Sequence, residues 1–224
     1  MDFAFKFWND KKNILWFKSQ PFSQYWVDFF SKIKNKKNKR VLDLGCGVGR
    51  NTKMLSKLGF NFYACDNCKK MVDETKKSLK NIGFDEKFLE RRITQQSMDN
   101  LSYPSNYFDF IISHGVYHSA SSMREFKKAL KESCRILKVG GVICFNIFTS
   151  LYTRKDAMLK KSSPNVYLTK DHLIMILLSK KKFISIANQY GLKIKNNPIG
   201  YESIVSTGKR SVLRGFLTKE NIID

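Results

Sequence analysis

The sequence predicts an α/β fold, a three-layer sandwich with helices on both faces of a mostly parallel sheet. Three observations point there. Strand-like apolar runs alternate with stretches of helical period from Val41 to Phe148. One such run, Val41 to Leu44, ends in glycines at alternating positions (Gly45, Gly47, Gly49) and passes directly into a helical pattern at Asn51. A chain of 224 residues, 42% of them hydrophobic, can bury one substantial core but has no room for a second full domain.

Composition bounds the partners. With 41 Lys and Arg against 19 Asp and Glu, the formal charge is +22, which attracts anions: nucleic acid, phosphorylated metabolites or anionic lipid. The same excess is what a codon bias toward A and T produces when Lys, Asn, Ile and Phe rise together, leaving an ordinary solvated basic surface. Five cysteines are scattered through core-like elements without the paired spacing of a zinc site, and no metal is expected. Cys65 and Cys68 form C-x-x-C, but the pair straddles Asp66 at a strand end, so reduced cysteines compete with a redox reading. The opening MDFAFKFWNDKK has early acids and no uninterrupted apolar run, unlike a secretory signal. No stretch approaches the roughly 20 apolar residues of a membrane span. A cytoplasmic protein is expected.

Residues 1–40 hold all three tryptophans, Trp8, Trp16 and Trp26, with Phe17, Phe22, Tyr25, Phe29 and Phe30. After a break at Pro21, apolar residues recur at helical spacing to Ile33, predicting an N-terminal aromatic cap of short helices on a domain spanning 41–224. Aromatic packing alone is the plainer reading. The run KIKNKKNKR, residues 32–40, is either solvated surface or an electrostatic landing site.

Glycine tolerates φ > 0 and, lacking Cβ, lets a ligand lie against the main chain, so the turn after Leu44 is a ligand seat. A dinucleotide fold wants G-x-G-x-x-G with a small last residue; here that residue is Arg50, and Asp43 on the strand suits a cationic or amine-bearing ligand. An acid followed by G-x-G-x-G resembles the first motif of the class I S-adenosylmethionine-dependent methyltransferases. The resemblance implies a Rossmann-like, mostly parallel seven-stranded sheet with an antiparallel edge strand. It implies S-adenosylmethionine as cofactor, S-adenosylhomocysteine as product, and Asp43, Gly45, Cys46 and Gly47 at the cofactor. It also lets the N-terminal segment cover the cofactor and part of the acceptor pocket, with Trp16 and Tyr25 as acceptor candidates.

After the turn, Asn51 to Leu58 suits a helix closed by Gly59, and residues 60–65 form a second strand ending at Asp66, 21 residues beyond Gly45. An acid there can take both hydroxyls of an adenosine ribose, or cap the next helix. The resemblance lays Asn67 along the adenine. Cys68 to Asn81 reads as a helix with Met71 and Val72 inward, Met71 being a further cofactor candidate. A third strand is expected over 87–95. The family pattern places an acid at Ser97; Ser97 or Asp99 could accept from the adenine amino group, and the Met98 backbone could contact the base.

A buried strand through Phe108, Phe110, Ile111 and Ile112 delivers Ser113, His114, Gly115, Val116, Tyr117 and His118 to the carboxyl edge of the sheet, where open α/β sheets bind ligands. Ser113 is a cofactor candidate. His114, His118 and Tyr117 are the obvious acid–base groups, and either histidine could remove an acceptor's proton. Alternatively they shape the pocket, or His118 caps the next helix. Residues 122–137 read as a helix; KVGG then turns into the strand VICFNIF, resembling the family's R-x-L-x-P-G-G with Val139 at the proline position. Residues at about 150–168 form a polar, basic insertion in which Arg154 and Lys155 could clamp an anionic substrate or simply be surface charge. A helix is expected over 169–179, carrying an exposed His172, and strands over 183–187 and 211–217.

Methyl transfer from a sulfonium is an in-line displacement that needs alignment and exclusion of water, and an anionic acceptor needs no base. A methyltransferase for a small, anionic acceptor (phosphorylated, nucleotide-linked, saccharide or carboxylate) is favoured by the absence of an attached nucleic-acid module. An RNA or tRNA methyltransferase using the basic runs as a groove is the alternative, and a non-catalytic cofactor-binding protein the third.

Overall fold

The computed structural model describes residues 3–151, 159–205 and 208–221. Three short helices lead: α1 (Phe3–Asn9), α2 (Lys11–Ser19) and α3 (Gln24–Ser31). The α/β core follows as β1 (Arg40–Leu44), α4 (Arg50–Lys57), β2 (Asn61–Asp66), α5 (Lys69–Lys80), α6 (Glu86–Arg92), β3 (Ile93–Gln95), β4 (Phe108–His114), α7 (Met123–Ile136) and β5 (Leu137–Thr149). A small antiparallel sheet comes next: β6 (Leu159–Ser163), β7 (Val166–Thr169) and β8 (Ile174–Ile176). The chain returns to the main sheet through α8 (Lys180–Gln189), β9 (Leu192–Ile194), β10 (Ile199–Val205) and β11 (Gly208–Lys219).

The main sheet runs β10-β11-β5-β4-β1-β2-β3, with short β9 beside β11. Strands β3, β2, β1, β4 and β5 are parallel, whereas β11 runs antiparallel to β5, β10 and β9. Strand order reverses between β1 and β4, so a crevice opens at the carboxyl ends of those strands, where the glycine turn and His114 lie. Trp26 and Phe30 of α3 are wholly buried, with Val41, Ile112, Cys144 and Phe216, on one face. Phe126 and Leu130 of α7 and Phe183 of α8 cover the other. No helix among the described residues is long and apolar enough to cross a membrane.

Several local expectations are corrected. Residues 86–92 are helical, because Asp85 caps them by accepting from the Phe88 amide (3.0 Å), and only Ile93–Gln95 pair as the third strand. The helix expected over 169–179 is absent: Thr169 ends β7, a turn follows, and Ile174–Ile176 is a strand. His172 sits in that turn at φ 59°, its ring 4.8 Å from that of Phe3. The strand expected over 183–187 is instead part of α8, where Phe183, Ile186 and Ala187 bury one helical stripe and Ser179 caps the start. The strand expected over 211–217 is there and longer, as β11.

Candidate functional site

The turn after β1 is built for close approach. Gly45, Gly47 and Gly49 have φ of 67°, 55° and 82°, where side chains are strained. A Cβ on Gly45 would lie 2.4 Å from Val116 Cγ2, and one on Gly49 would lie 2.9 Å from Thr75, whereas one on Gly47 would enter open space. Gly47 is therefore the place where the main chain itself faces the crevice. Asp66, at the end of the neighbouring strand, is fixed beside it: one carboxylate oxygen accepts from the Gly47 amide and the other from the Cys68 amide, each at 2.9 Å. Each oxygen keeps a lone pair for a vicinal diol. Burial raises the Asp66 carboxyl, and the amides of Cys68, Gly47 and Asn67 oppose that rise.

Asp43 is fully buried beneath the turn. One oxygen accepts from Thr52 Oγ1 (2.6 Å) and the other has no hydrogen-bond partner among the described residues. Burial pushes this carboxyl up to about 7, against the hydrogen bonds from Thr52 and Asn51 and the charge of Arg50. Asn67 is exposed next to Asp66, its carbonyl accepting from Gln95 Nε2 (2.9 Å). Ser97 donates its hydroxyl proton to Asp99 (2.6 Å), while Lys128 holds the other Asp99 oxygen at 3.2 Å. With its proton committed, Ser97 Oγ faces a ligand only as an acceptor. The Ser97 hydroxyl and Lys128 hold the Asp99 carboxyl below its usual range. Met98 is nearly buried at the same turn.

Three cofactor candidates are buried. Cys46 is buried against α5, with Thr75 Oγ1 3.5 Å from its sulfur, and burial beside Asp66 and Asp43 pushes its thiol up. Ser113 is fully buried on the face opposite His114. Met71 is buried beneath α2, packing with Ile14 and Val48, and Trp8 and Phe17 close over that cluster. Cys65 is also fully buried with its thiol pushed up, which removes the redox reading of C-x-x-C.

Each acid–base candidate has a fixed hydrogen-bond partner. Tyr117 lies wholly in the core, donating to Ser133 Oγ (2.8 Å), and burial pushes its hydroxyl up to about 12. His114 Nδ1 accepts from the Trp26 indole N–H (2.8 Å), and His118 Nδ1 from the Phe148 amide (3.1 Å). An indole nitrogen and a backbone amide can only donate, so both rings are neutral with the proton on Nε2. Burial pushes both down to about 3, helped at His114 by Arg50, Arg214 and His118 and at His118 by Arg210. The remaining nitrogen of each ring is a donor, and neither is arranged to take an acceptor's proton.

Around His114 stand groups that the sequence reading missed. His114, Asn146 and Arg214 are register partners across β4, β5 and β11, so they share a face. The Arg214 guanidinium lies over the rings of Tyr201 (4.6 Å), Tyr25 (4.9 Å) and Trp26 (5.7 Å). Tyr25 thus belongs to this cluster, while the ring of Trp16 sits edge-on to Phe17 (4.9 Å) in α2. Arg154 and Lys155 lie outside the described residues. The basic run 32–40 lies at the amino end of β1, the opposite edge from the glycine turn.

Residues 42–145 match the family described as Methyltransferase domain. Over 124 residues the chain is 32% identical to the malonyl-[acyl-carrier protein] O-methyltransferase of Buchnera aphidicola, covering 54% of this chain and 45% of that protein. Over 117 residues it is 28% identical to the human probable tRNA methyltransferase 9B, covering 51% of this chain and 22% of that one. The chain thus spans less than half the length of these curated relatives. A solved methyltransferase structure from Methanosarcina mazei, described as S-adenosylmethionine-dependent, superposes with a TM-score of 0.73 at 16% identity, covering 90% of this chain and 99% of that one.

Proposed function

We propose that the chain is a class I S-adenosylmethionine-dependent methyltransferase, and from that premise that it methylates a small acceptor that is already an anionic nucleophile at neutral pH. The observation that carries the reading is the pairing of an open Gly47 main chain with an Asp66 carboxylate fixed for a diol. These residues fit the donor: Asp66 for the ribose, Ser97 as acceptor toward the adenine amino group, and Asp43 beneath the turn as the acid that a cationic ligand would ionise. When bound, the cofactor supplies an electrophilic methyl on a sulfonium.

The chain's own residues then have to align the acceptor and exclude water. Helices α1 and α2 close over Val48 and Met71 through Trp8, Ile14 and Phe17. Lys70 Nζ donates to the Asn9 carbonyl (2.7 Å), and Lys18 pairs with Glu74. With both crevice histidines locked as donors, an acceptor needing deprotonation is poorly served, whereas a carboxylate or phosphate oxygen needs no base. The relative named as acting on a malonyl carrier protein, an O-methyltransferase, is in keeping with an oxygen acceptor.

A second reading, methylation of tRNA, draws on the relative named for that activity and on the net charge of +22. The experiment is a transfer assay with isotopically labelled donor against carboxylate metabolites, acyl-carrier carboxylates and bulk tRNA. Label in the carboxylates supports the first reading, and label in tRNA alone supports the second. Donor binding without transfer to any of them leaves a non-catalytic binding protein.

A further inference from the structure

Three hydrogen-bond donors converge at the carboxyl edge of β4 and β5, beside antiparallel β11, with no acceptor among the described residues. Tyr201 Oη accepts from Asn146 Nδ2 (2.9 Å) and from the Arg214 guanidinium, which uses both of its lone pairs. Its own proton has no acceptor among the described residues. Arg214 makes that one hydrogen bond and no ion pair among the described residues, and its Nε is buried without a partner. His114, tied to Trp26 through Nδ1, presents Nε2–H. A buried or half-buried donor left unmade costs free energy, and here three are left together beside a fixed positive charge.

The arrangement is rigid as well as unsatisfied. Aromatic rings hold the planar face of the guanidinium, so its in-plane N–H edge remains for a ligand, and that fork suits two oxygens of one anion. Arg50, at the start of α4, adds its charge on the side of His114 facing the glycine turn, opposed there by Asp43 beneath the turn. We propose that Arg214, with the Tyr201 hydroxyl and His114 Nε2–H, is the seat that binds a carboxylate group of the acceptor. This rests on the methyltransferase reading and names its acceptor class. Trp26 and Tyr25, carried by α3, form the wall of this seat.

The test uses the full chain saturated with S-adenosylhomocysteine, whose binding is measured first and separately. Malonate and succinate are titrated while the Trp26 indole N–H resonance is followed, in wild type, Arg214→Lys and Arg214→Gln, with exposed Lys131→Gln as the charge control. The expected result is a saturable shift of that resonance by the carboxylates, absent with their dimethyl esters and unchanged in Lys131→Gln. Affinity should fall about tenfold in Arg214→Lys, which keeps the charge but not the fork, and further in Arg214→Gln. If Arg214→Gln does not fold, the lysine variant carries the comparison. Shifts that are equal for esters and acids, or equal in wild type and Arg214→Lys, overturn the seat, as does tighter binding of inorganic phosphate than of the carboxylates. Failure of S-adenosylhomocysteine itself to bind counts against the methyltransferase reading instead.

Discussion

The Trp26 indole N–H donates to Nδ1 of His114 across 2.8 Å, and that bond ties α3 to the carboxyl edge of the sheet. Because Trp26 is wholly buried, the bond also fixes which imidazole nitrogen the crevice meets. That leaves Nε2–H on the histidine as a donor.

It follows that both His114 and His118 should appear in nitrogen-resolved NMR as neutral Nε2–H tautomers that do not titrate between pH 8 and about 5. A midpoint near neutrality for either ring would restore the general-base reading.

The His118 shift has a stability consequence. Its native pKa of about 3 lies below the ordinary 6.5, so between those values the unfolded chain binds a proton that the native chain refuses. Its contribution is intact above pH 6.5 and lost as pH falls toward 3. His118→Gln, which can still accept from Phe148, should therefore lose less stability on acidification, by about 2 kcal/mol at pH 5 relative to pH 7. Urea unfolding of both proteins at the two pH values measures this; parallel losses would contradict the buried neutral ring.

Two glycines in one turn should respond differently to alanine. At Gly45 the new Cβ meets Val116 at 2.4 Å, so Gly45→Ala should lower the unfolding midpoint sharply. At Gly47 the Cβ enters open space, so Gly47→Ala should pay only the backbone strain of φ 55° yet lose donor affinity. Calorimetry and thermal melts separate the two, and unaltered affinity in Gly47→Ala would show that the donor does not approach this main chain.

Ser97→Ala removes the acceptor at the adenine turn and should weaken S-adenosylhomocysteine by about 1 kcal/mol. Asp99→Ala frees the Ser97 proton and should weaken it similarly, because the hydroxyl then no longer presents only lone pairs. Unchanged affinity in both variants would place the adenine elsewhere.

The first two strands and the glycine turn between them were legible because their signals are local: an apolar run, alternating glycines and an acid at a strand end lie within one stretch of chain. The segments that misled did so for local reasons too. FISIA at 183–187 has strand-type residues, yet its buried positions follow a helical stripe once Ser179 caps it. LIMILL at 173–178 is apolar throughout, and such a run does not distinguish buried strand from helix. Arg214 was illegible because its meaning comes from register, beside Asn146 and across from Tyr25, and pairings that distant leave no pattern in the chain. The histidines were visible as residues but not as tautomers, since Trp26 is 88 positions from His114.

The central claim is that the Gly47 main chain and the Asp66 carboxylate together hold an adenosyl donor. Calorimetric titration of S-adenosylhomocysteine into wild type and Asp66→Ala tests it most directly. The account predicts measurable binding to the wild type and a loss of about 1 to 3 kcal/mol in the variant, the scale of two hydrogen bonds to a charged group. Equal affinity in the two proteins, or no binding to the wild type, would contradict it.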